Sequence, residues 1–324
     1  MFDPSTSPCN FCKAIQFADN KRLTISPPTL YAECMIILKN LLLSIFLLCA
    51  FQSLCGVPLA DSFRQAGYVE ICDTQHGTVT FDALYASFDT LVAFLQAHPT
   101  WKQKLYGAKE RFIRSKERSF YSTDFFGLHD ESQQEGRSQI AFYYSIHFHT
   151  FLSTYYPEFN RVPEIADFLQ ACHEIQQPYA DLFVEAANEL GLTTIFSSAY
   201  GRPPILLKVM KYFPAYHVTR PHYDGTVFSL FLDSTDNRSL LLAPYTSEFV
   251  ADDFHAPDRT FPRNEAHNSI LLIPGAHLTE FSIYPTPHIV APTGNVRYAT
   301  IAFAMRPHYI SQKNKLSALP NLNY

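Results

Sequence analysis

The chain lacks the two glycine signatures that most directly announce an activity. There is no GxSxG nucleophile elbow and no glycine-rich phosphate loop. A serine hydrolase of that type and a P-loop nucleotide enzyme are therefore not indicated. Charge is scarce too: Asp, Glu, Lys and Arg make up 17% of residues and the formal net charge is −5. The electrostatic footprint of a nucleic-acid binder is missing, so nucleic acid is not expected as a partner. Cysteine is nearly confined to the start of the chain, at Cys9, Cys12, Cys34, Cys49 and Cys55, with only Cys72 and Cys172 beyond. Cys9 and Cys12 have CxxC spacing, but no second pair follows at zinc-site distance, and no metal or redox role is assigned there. Internal repeats and low-complexity tracts are also absent.

Long hydrophobic runs are limited to one, NLLLSIFLLCAFQSL over residues 40–54. It is short for a membrane span and long enough for the apolar region of a signal sequence. Lys13, Lys21, Arg22 and Lys39 precede it, and Arg64 is the only nearby base after it. This asymmetry places the body of the protein outside the cytoplasm. Residues 1–61 are thus expected to be a leader carrying a signal or membrane anchor. The competing readings are a buried helix of the fold and a cytoplasmic protein.

What is present is a large apolar complement, 47% of 324 residues, sufficient for a substantial core. Residues 62–194 read as a helical region opening with a short strand at Gly67–Ile71. FDALYASFDTLVAFLQA, residues 81–97, carries apolar residues at helical spacing, and His98-Pro99 stops it. Residues 101–112 are polar and basic and read as a solvated segment. Helical patterning returns from Pro163 to Leu192. From 195 to 310 short apolar runs recur between turn signals: Ile205–Phe213, Thr226–Leu232, Ser239–Leu242, Ser269–Ile273, His288–Val290 and Arg297–Met305. Such a series indicates a sandwich or barrel, of which the double-stranded β-helix (jelly roll) is one form. The fold class is mixed α/β, mainly β. Residues 311–324 read as a loose tail.

Within the β-rich part lies a split set of residues with metal-ligand character: His222 and Asp224, then His288, with Arg297 nine residues further on. One intervening residue puts His222 and Asp224 on the same side of a strand. Two histidines and a carboxylate can hold one face of an Fe(II) ion and leave the other positions open. Arginine offers a planar fork of donors suited to a carboxylate. Pro221 and Gly225 place the first pair at a strand end. A hairpin joining 288–291 to 297–301 is expected to bring His288 beside Arg297. HxD alone is common; the order HxD, Pro274-Gly275, His288, Arg297 is what distinguishes the set.

In these motifs the region from about Gly67 to Pro307 resembles the isopenicillin N synthase-like branch of the Fe(II)/2-oxoglutarate-dependent oxygenases. The resemblance rests on GYVEI, Tyr212-Phe213-Pro214 leading into PHYDG, ILLIPGAHLTEF, TPHIVAP and RYATIAF. It implies a jelly-roll core, Fe(II) held by His222, Asp224 and His288, and Arg297 paired with the distal carboxylate of 2-oxoglutarate. O₂ is the implied oxidant and a small organic molecule the implied substrate. The chain departs from the family where Arg-x-Ser has Ala299, and where a tyrosine before the proline is Phe213. Thr300 carries a hydroxyl but alternates to the other face. Tyr212 is the residue expected to substitute in co-substrate binding.

Three other readings stay open at this level: a non-catalytic binding protein on the same scaffold, a keto-acid-independent iron oxidase, and a zinc or manganese hydrolase using the same triad. A second same-face pair, His147 and His149, would exist if that segment were extended. No carboxylate is ordered behind it, and structural or substrate-lining roles are expected.

Overall fold

The computed structural model describes residues 58–72, 80–133, 138–196, 203–214, 219–235, 239–243, 255, 269–291 and 294–306. The apolar segment 40–54, most of the loop region 244–265 and the tail from 311 lie outside these residues. Among the described residues no helix is long and apolar enough to cross a membrane.

The first elements are α1 (Leu59–Ala66) and β1 (Val69–Cys72). Gly67 ends α1 at φ 80°, a left-handed conformation that glycine adopts without steric cost, and its amide donates to Phe63 O. α1 begins before residue 62 and buries Leu59 and Phe63, so the packed body already includes the end of the expected leader.

α2 (Phe81–Ala97) follows. Thr80 caps it by accepting from the Ala83 amide, and Leu84, Phe88, Leu91, Val92 and Leu95 form its buried stripe. Pro99 ends α2 and starts α3 (Pro99–Ile113) at its first turn. The expected solvated segment 101–112 is therefore helical. Leu105, Ala108 and Phe112 recur at intervals of three and four and face inward, while the charged residues occupy the other face. The density of Lys and Glu masked this narrow stripe.

Next come β2 (Gly127–Asp130), β3 (Gln139–Tyr144), α4 (Ile146–Tyr155), α5 (Pro163–Gln176) and α6 (Tyr179–Glu189). The remaining strands are β4 (Ile205–Tyr212), β5 (Thr219–His222), β6 (Phe228–Ser234), β7 (Leu240–Leu242), β8 (Ser269–Pro274), β9 (His288–Val290) and β10 (Arg297–Ala304).

All pairings are antiparallel. A seven-stranded sheet has the order β1-β8-β6-β10-β4-β3-β2, and a three-stranded sheet the order β5-β9-β7. From β4 to β10 successive strands alternate between the two sheets. That alternation is the winding of a double-stranded β-helix, so the fold is a mainly-β jelly roll with a helical N-terminal region. The N-terminal region also lends β1, β2 and β3 to the large sheet; β1 matches the short strand expected at Gly67–Ile71, whereas its helical patterning did not suggest β2 and β3.

Strand alternation separates two chemistries on the large sheet. One face packs against helices: Phe88 of α2 and Phe142 of β3 both meet Phe168 of α5, with ring centroids 5.3 and 5.0 Å apart. On that face Thr300 Oγ1 lies 3.1 Å from Tyr85 Oη, and Tyr298 and Lys211 both reach Asp89. The other face looks toward the small sheet. Register places Arg297, Ala299 and Ile301 beside Tyr212, Met210 and Lys208, and these beside Gln139, Ala141 and Tyr143.

Candidate metal centre

β5 pairs with β9 so that His222 stands opposite His288. β5 ends at His222, and the chain passes through Asp224 before entering β6. Among the described residues His222, Asp224 and His288 form a group that could hold a metal ion, one ligand atom from each lying within 4.8 Å of the others. Asp224 Oδ1 is 3.9 Å from His222 Nε2, and Oδ2 is 3.7 Å from His288 Nε2. The two imidazole centroids are 4.2 Å apart. The His222 side chain is 41% exposed against 4% for His288 and 14% for Asp224, so the centre opens to solvent on the His222 side.

His288 and Asp224 are each held by neighbours. His288 Nδ1 lies 3.1 Å from Thr286 O, which fits the tautomer with Nδ1–H donating and the Nε2 lone pair free for a metal. Phe231 of β6 packs edge-on against the same imidazole at 5.7 Å. Ser229 Oγ donates to Asp224 Oδ2 at 2.6 Å, and Thr226 Oγ1 lies 3.1 Å from Ser229 Oγ. Burial works to raise the Asp224 pKa. His288, His222, the Ser229 hydrogen bond and Lys208 outweigh it, and the carboxyl is held below the usual aspartate range. The carboxylate is thus available as an anionic ligand.

The Pro274-Gly275 turn clamps the backbone that carries Asp224. Asp224 O accepts from Ala276 N at 2.8 Å, Thr226 O from His277 N at 3.0 Å, and Val227 O from Gly275 N at 2.8 Å. A side chain at Gly275 would put its Cβ 2.2 Å from Thr226 O. Glycine is required here by a close backbone approach, not by its dihedral angles.

Arg297 opens β10 and is 5% exposed. Its guanidinium stacks over Tyr212, 3.9 Å from the ring centroid, and donates to Ser239 Oγ at the entry of β7. The expected hairpin between the His288 and Arg297 strands does not form. β9 belongs to the small sheet and β10 to the large one, so the two residues face one another across the fold. The short Gly294-Asn295 link resembles a hairpin turn, but in a jelly roll it is a crossing between sheets. Tyr212 supports Arg297 with its ring, while its hydroxyl lies 3.1 Å from Met210 Sδ. Ala299 is buried beside Arg297 on the same face, and Thr300 is on the helix side.

His147 and His149 do not form a same-face pair. Ser145 caps α4 by accepting from Phe148 N, and in a helix the two side chains diverge. His147 Nδ1 lies 2.9 Å from Tyr121 Oη, and His149 Nδ1 lies 3.1 Å from Tyr144 Oη.

Sequence patterning missed Ser229, Ser239 and Lys208. Ser229 is completely buried in the otherwise apolar run FSLFL, and Lys208 interrupts the apolar strand ILLKVM. A polar residue at an inward position of a buried strand is the signal that marks both.

No family model and no curated protein matches the chain. Solved structures do. The chain is similar to the dioxygenase for auxin oxidation 1 from Arabidopsis thaliana in its 2-oxoglutarate complex, at 16% identity and a TM-score of 0.48 over 81% of this chain and 93% of that one. It is similar to a 2OG-Fe(II) oxygenase family protein from Caulobacter crescentus, at 15% identity and a TM-score of 0.46 over 76% of this chain and 80% of that one. The dioxygenase for auxin oxidation in rice is similar at 14% identity and a TM-score of 0.44 over 77% of this chain and 76% of that one. At these values the ligands of those proteins remain theirs, and the chemistry of this centre is read from its own residues.

Proposed function

We propose that the protein is a non-haem Fe(II)- and 2-oxoglutarate-dependent oxygenase acting on a small organic substrate. The observation that carries this reading is the juxtaposition of two parts on facing sheets. A two-histidine, one-carboxylate triad stands at the end of the small sheet, and a buried arginine stands on the inner face of the large one. The donor set suits a divalent first-row ion and leaves positions open. When bound, Fe(II) with 2-oxoglutarate and O₂ supplies the oxidation of a substrate C–H bond, with succinate and CO₂ as co-products.

The chain's own residues do the rest. His288, oriented by Thr286 O, and Asp224, oriented by Ser229, present their lone pairs toward one point. Arg297, fixed by Ser239 and by the Tyr212 ring, offers its fork to the distal carboxylate of the keto acid. Ala299 and Phe213 supply no hydroxyl there, so that anchor rests on the guanidinium. Export or anchoring through residues 40–54 remains part of the proposal, on its apolar length and flanking charges.

The test is turnover without a primary substrate: protein, Fe(II), ascorbate and 2-oxoglutarate in air, with succinate measured. Succinate formed by the wild type and absent in His222→Ala and Asp224→Ala supports the reading. Equal succinate in wild type and both variants would end it. Bound iron without succinate formation would instead favour a keto-acid-independent oxidase or a binding protein on the same scaffold.

A further inference from the structure

The inner face of the large sheet carries a second group of cations, away from Arg297. Lys208 is partly buried in the middle of β4, and its Nζ lies 5.3 Å from the centroid of Tyr143 on the adjacent strand. His129 of β2 packs edge-on against the same tyrosine at 4.9 Å, and Lys109 of α3 reaches His129 Nε2 at 3.0 Å. Phe125, 55% exposed, stacks on Tyr143 at 5.4 Å and forms an apolar rim. Among the described residues neither Lys208 nor Lys109 makes an ion pair with a carboxylate.

Burial works to lower the Lys208 pKa; Tyr143, Tyr212 and, to a lesser extent, the Asp224 carboxylate outweigh it and hold the group above the ordinary lysine value. Burial and the neighbouring lysines push His129 the other way, down to about 4, so the imidazole is neutral and accepts from Lys109. A divalent ion on the triad would engage the Asp224 carboxylate, and Lys208 would then face positive charge. A half-buried cation without a counter-charge is unfavourable, so the site calls for an incoming anion.

That anion is not the keto acid held by Arg297. Register puts Lys208 opposite Ile301 and Tyr212 opposite Arg297, four residues apart on each strand. At about 3.3 Å per residue their backbone positions are separated by roughly 13 Å along the sheet. A five-carbon diacid anchored at Arg297 extends only about 6 Å.

On these grounds, and resting on the oxygenase reading, we infer that Lys208, backed by Tyr143 and the Lys109–His129 pair, binds a carboxylate of the primary substrate, whose apolar body lies along Phe125 and Tyr143. The substrate class is a hydrophobic monocarboxylic acid.

The experiment is ligand-observed NMR and calorimetry on the full chain with phenylacetate, cinnamate and hexanoate, each paired with its primary amide. Titrations run with and without Mn(II) and 2-oxoglutarate. At least one acid should bind ten-fold or more tightly than its amide, and Lys208→Met should erase that preference. Lys208→Arg should keep most of it, and 2-oxoglutarate binding should be unchanged in both variants. No acid binding better than its amide overturns the inference. So does an acid displaced by 2-oxoglutarate and lost in Arg297→Ala, since it would occupy the co-substrate position. If acids bind through Lys208 while Mn(II) and 2-oxoglutarate fail to bind the wild type, the oxygenase reading fails and the carboxylate site stands.

Discussion

Gly275→Ala tests whether the 274–277 turn positions the metal centre. The added Cβ would lie 2.2 Å from Thr226 O and 2.3 Å from Thr226 Oγ1, whereas real Cβ contacts essentially never fall under 3.0 Å. One backbone must retreat by roughly 0.8 Å from the other, an overpacking strain worth about 1–3 kcal/mol. Three hydrogen bonds across the contact, to Asp224 O, Thr226 O and Val227 O, would stretch with it, and each contributes about 1 kcal/mol. A loss of about 2–4 kcal/mol in a domain of this size lowers Tm by roughly 4–16 °C. Because Asp224 sits at the moving end, Mn(II) affinity should fall at least ten-fold even below the new Tm. Thermal unfolding by circular dichroism and Mn(II) calorimetry at 15 °C provide the readouts. A Gly275→Ala protein that melts within 1 °C of wild type and binds Mn(II) equally would refute the proposed clamp.

Further expectations follow from the same geometry. Ser229→Ala removes the 2.6 Å hydrogen bond to Asp224 Oδ2 and should weaken Mn(II) binding several-fold by calorimetry, with little change in far-UV circular dichroism. Arg297→Lys keeps the charge but loses the stacked planar fork, so 2-oxoglutarate affinity should drop about ten-fold with metal binding unchanged; an unchanged keto-acid affinity would show that stacking and bidentate geometry are irrelevant. Burial, assisted by Arg306, holds the His277 pKa down to about 4, while the unfolded chain takes up that proton near 6.5. Between these values the unfolded state binds more protons, so stability falls as pH drops through the window. His277→Gln should remove about 2 kcal/mol of the difference between pH 7 and pH 5 in urea unfolding.

Much of the β-rich half was legible because its information is local. A period-two pattern and turn residues mark a strand wherever it ends up, and six short apolar runs became six strands with nearly their expected limits. HxD at a strand end was legible for the same reason. Sheet membership was not: nothing local to Pro292–Val296 says whether β9 pairs with β10 or crosses to the other sheet, and the close spacing of His288 and Arg297 suggested a hairpin. In α3, Leu105, Ala108 and Phe112 are too few among charged neighbours to stand out without the partner surface. Lys208 and Ser229 needed register, since only strand pairing tells which alternate positions face the small sheet.

The most direct test of the central claim is an anaerobic titration of the full chain with Fe(II) and then 2-oxoglutarate, following the visible metal-to-ligand charge-transfer band. The account predicts one iron per chain and a band that saturates with keto acid, absent in His288→Ala and requiring much more 2-oxoglutarate in Arg297→Ala. Wild-type protein that binds no iron, or that gives a band with the same 2-oxoglutarate dependence in Arg297→Ala, would contradict it.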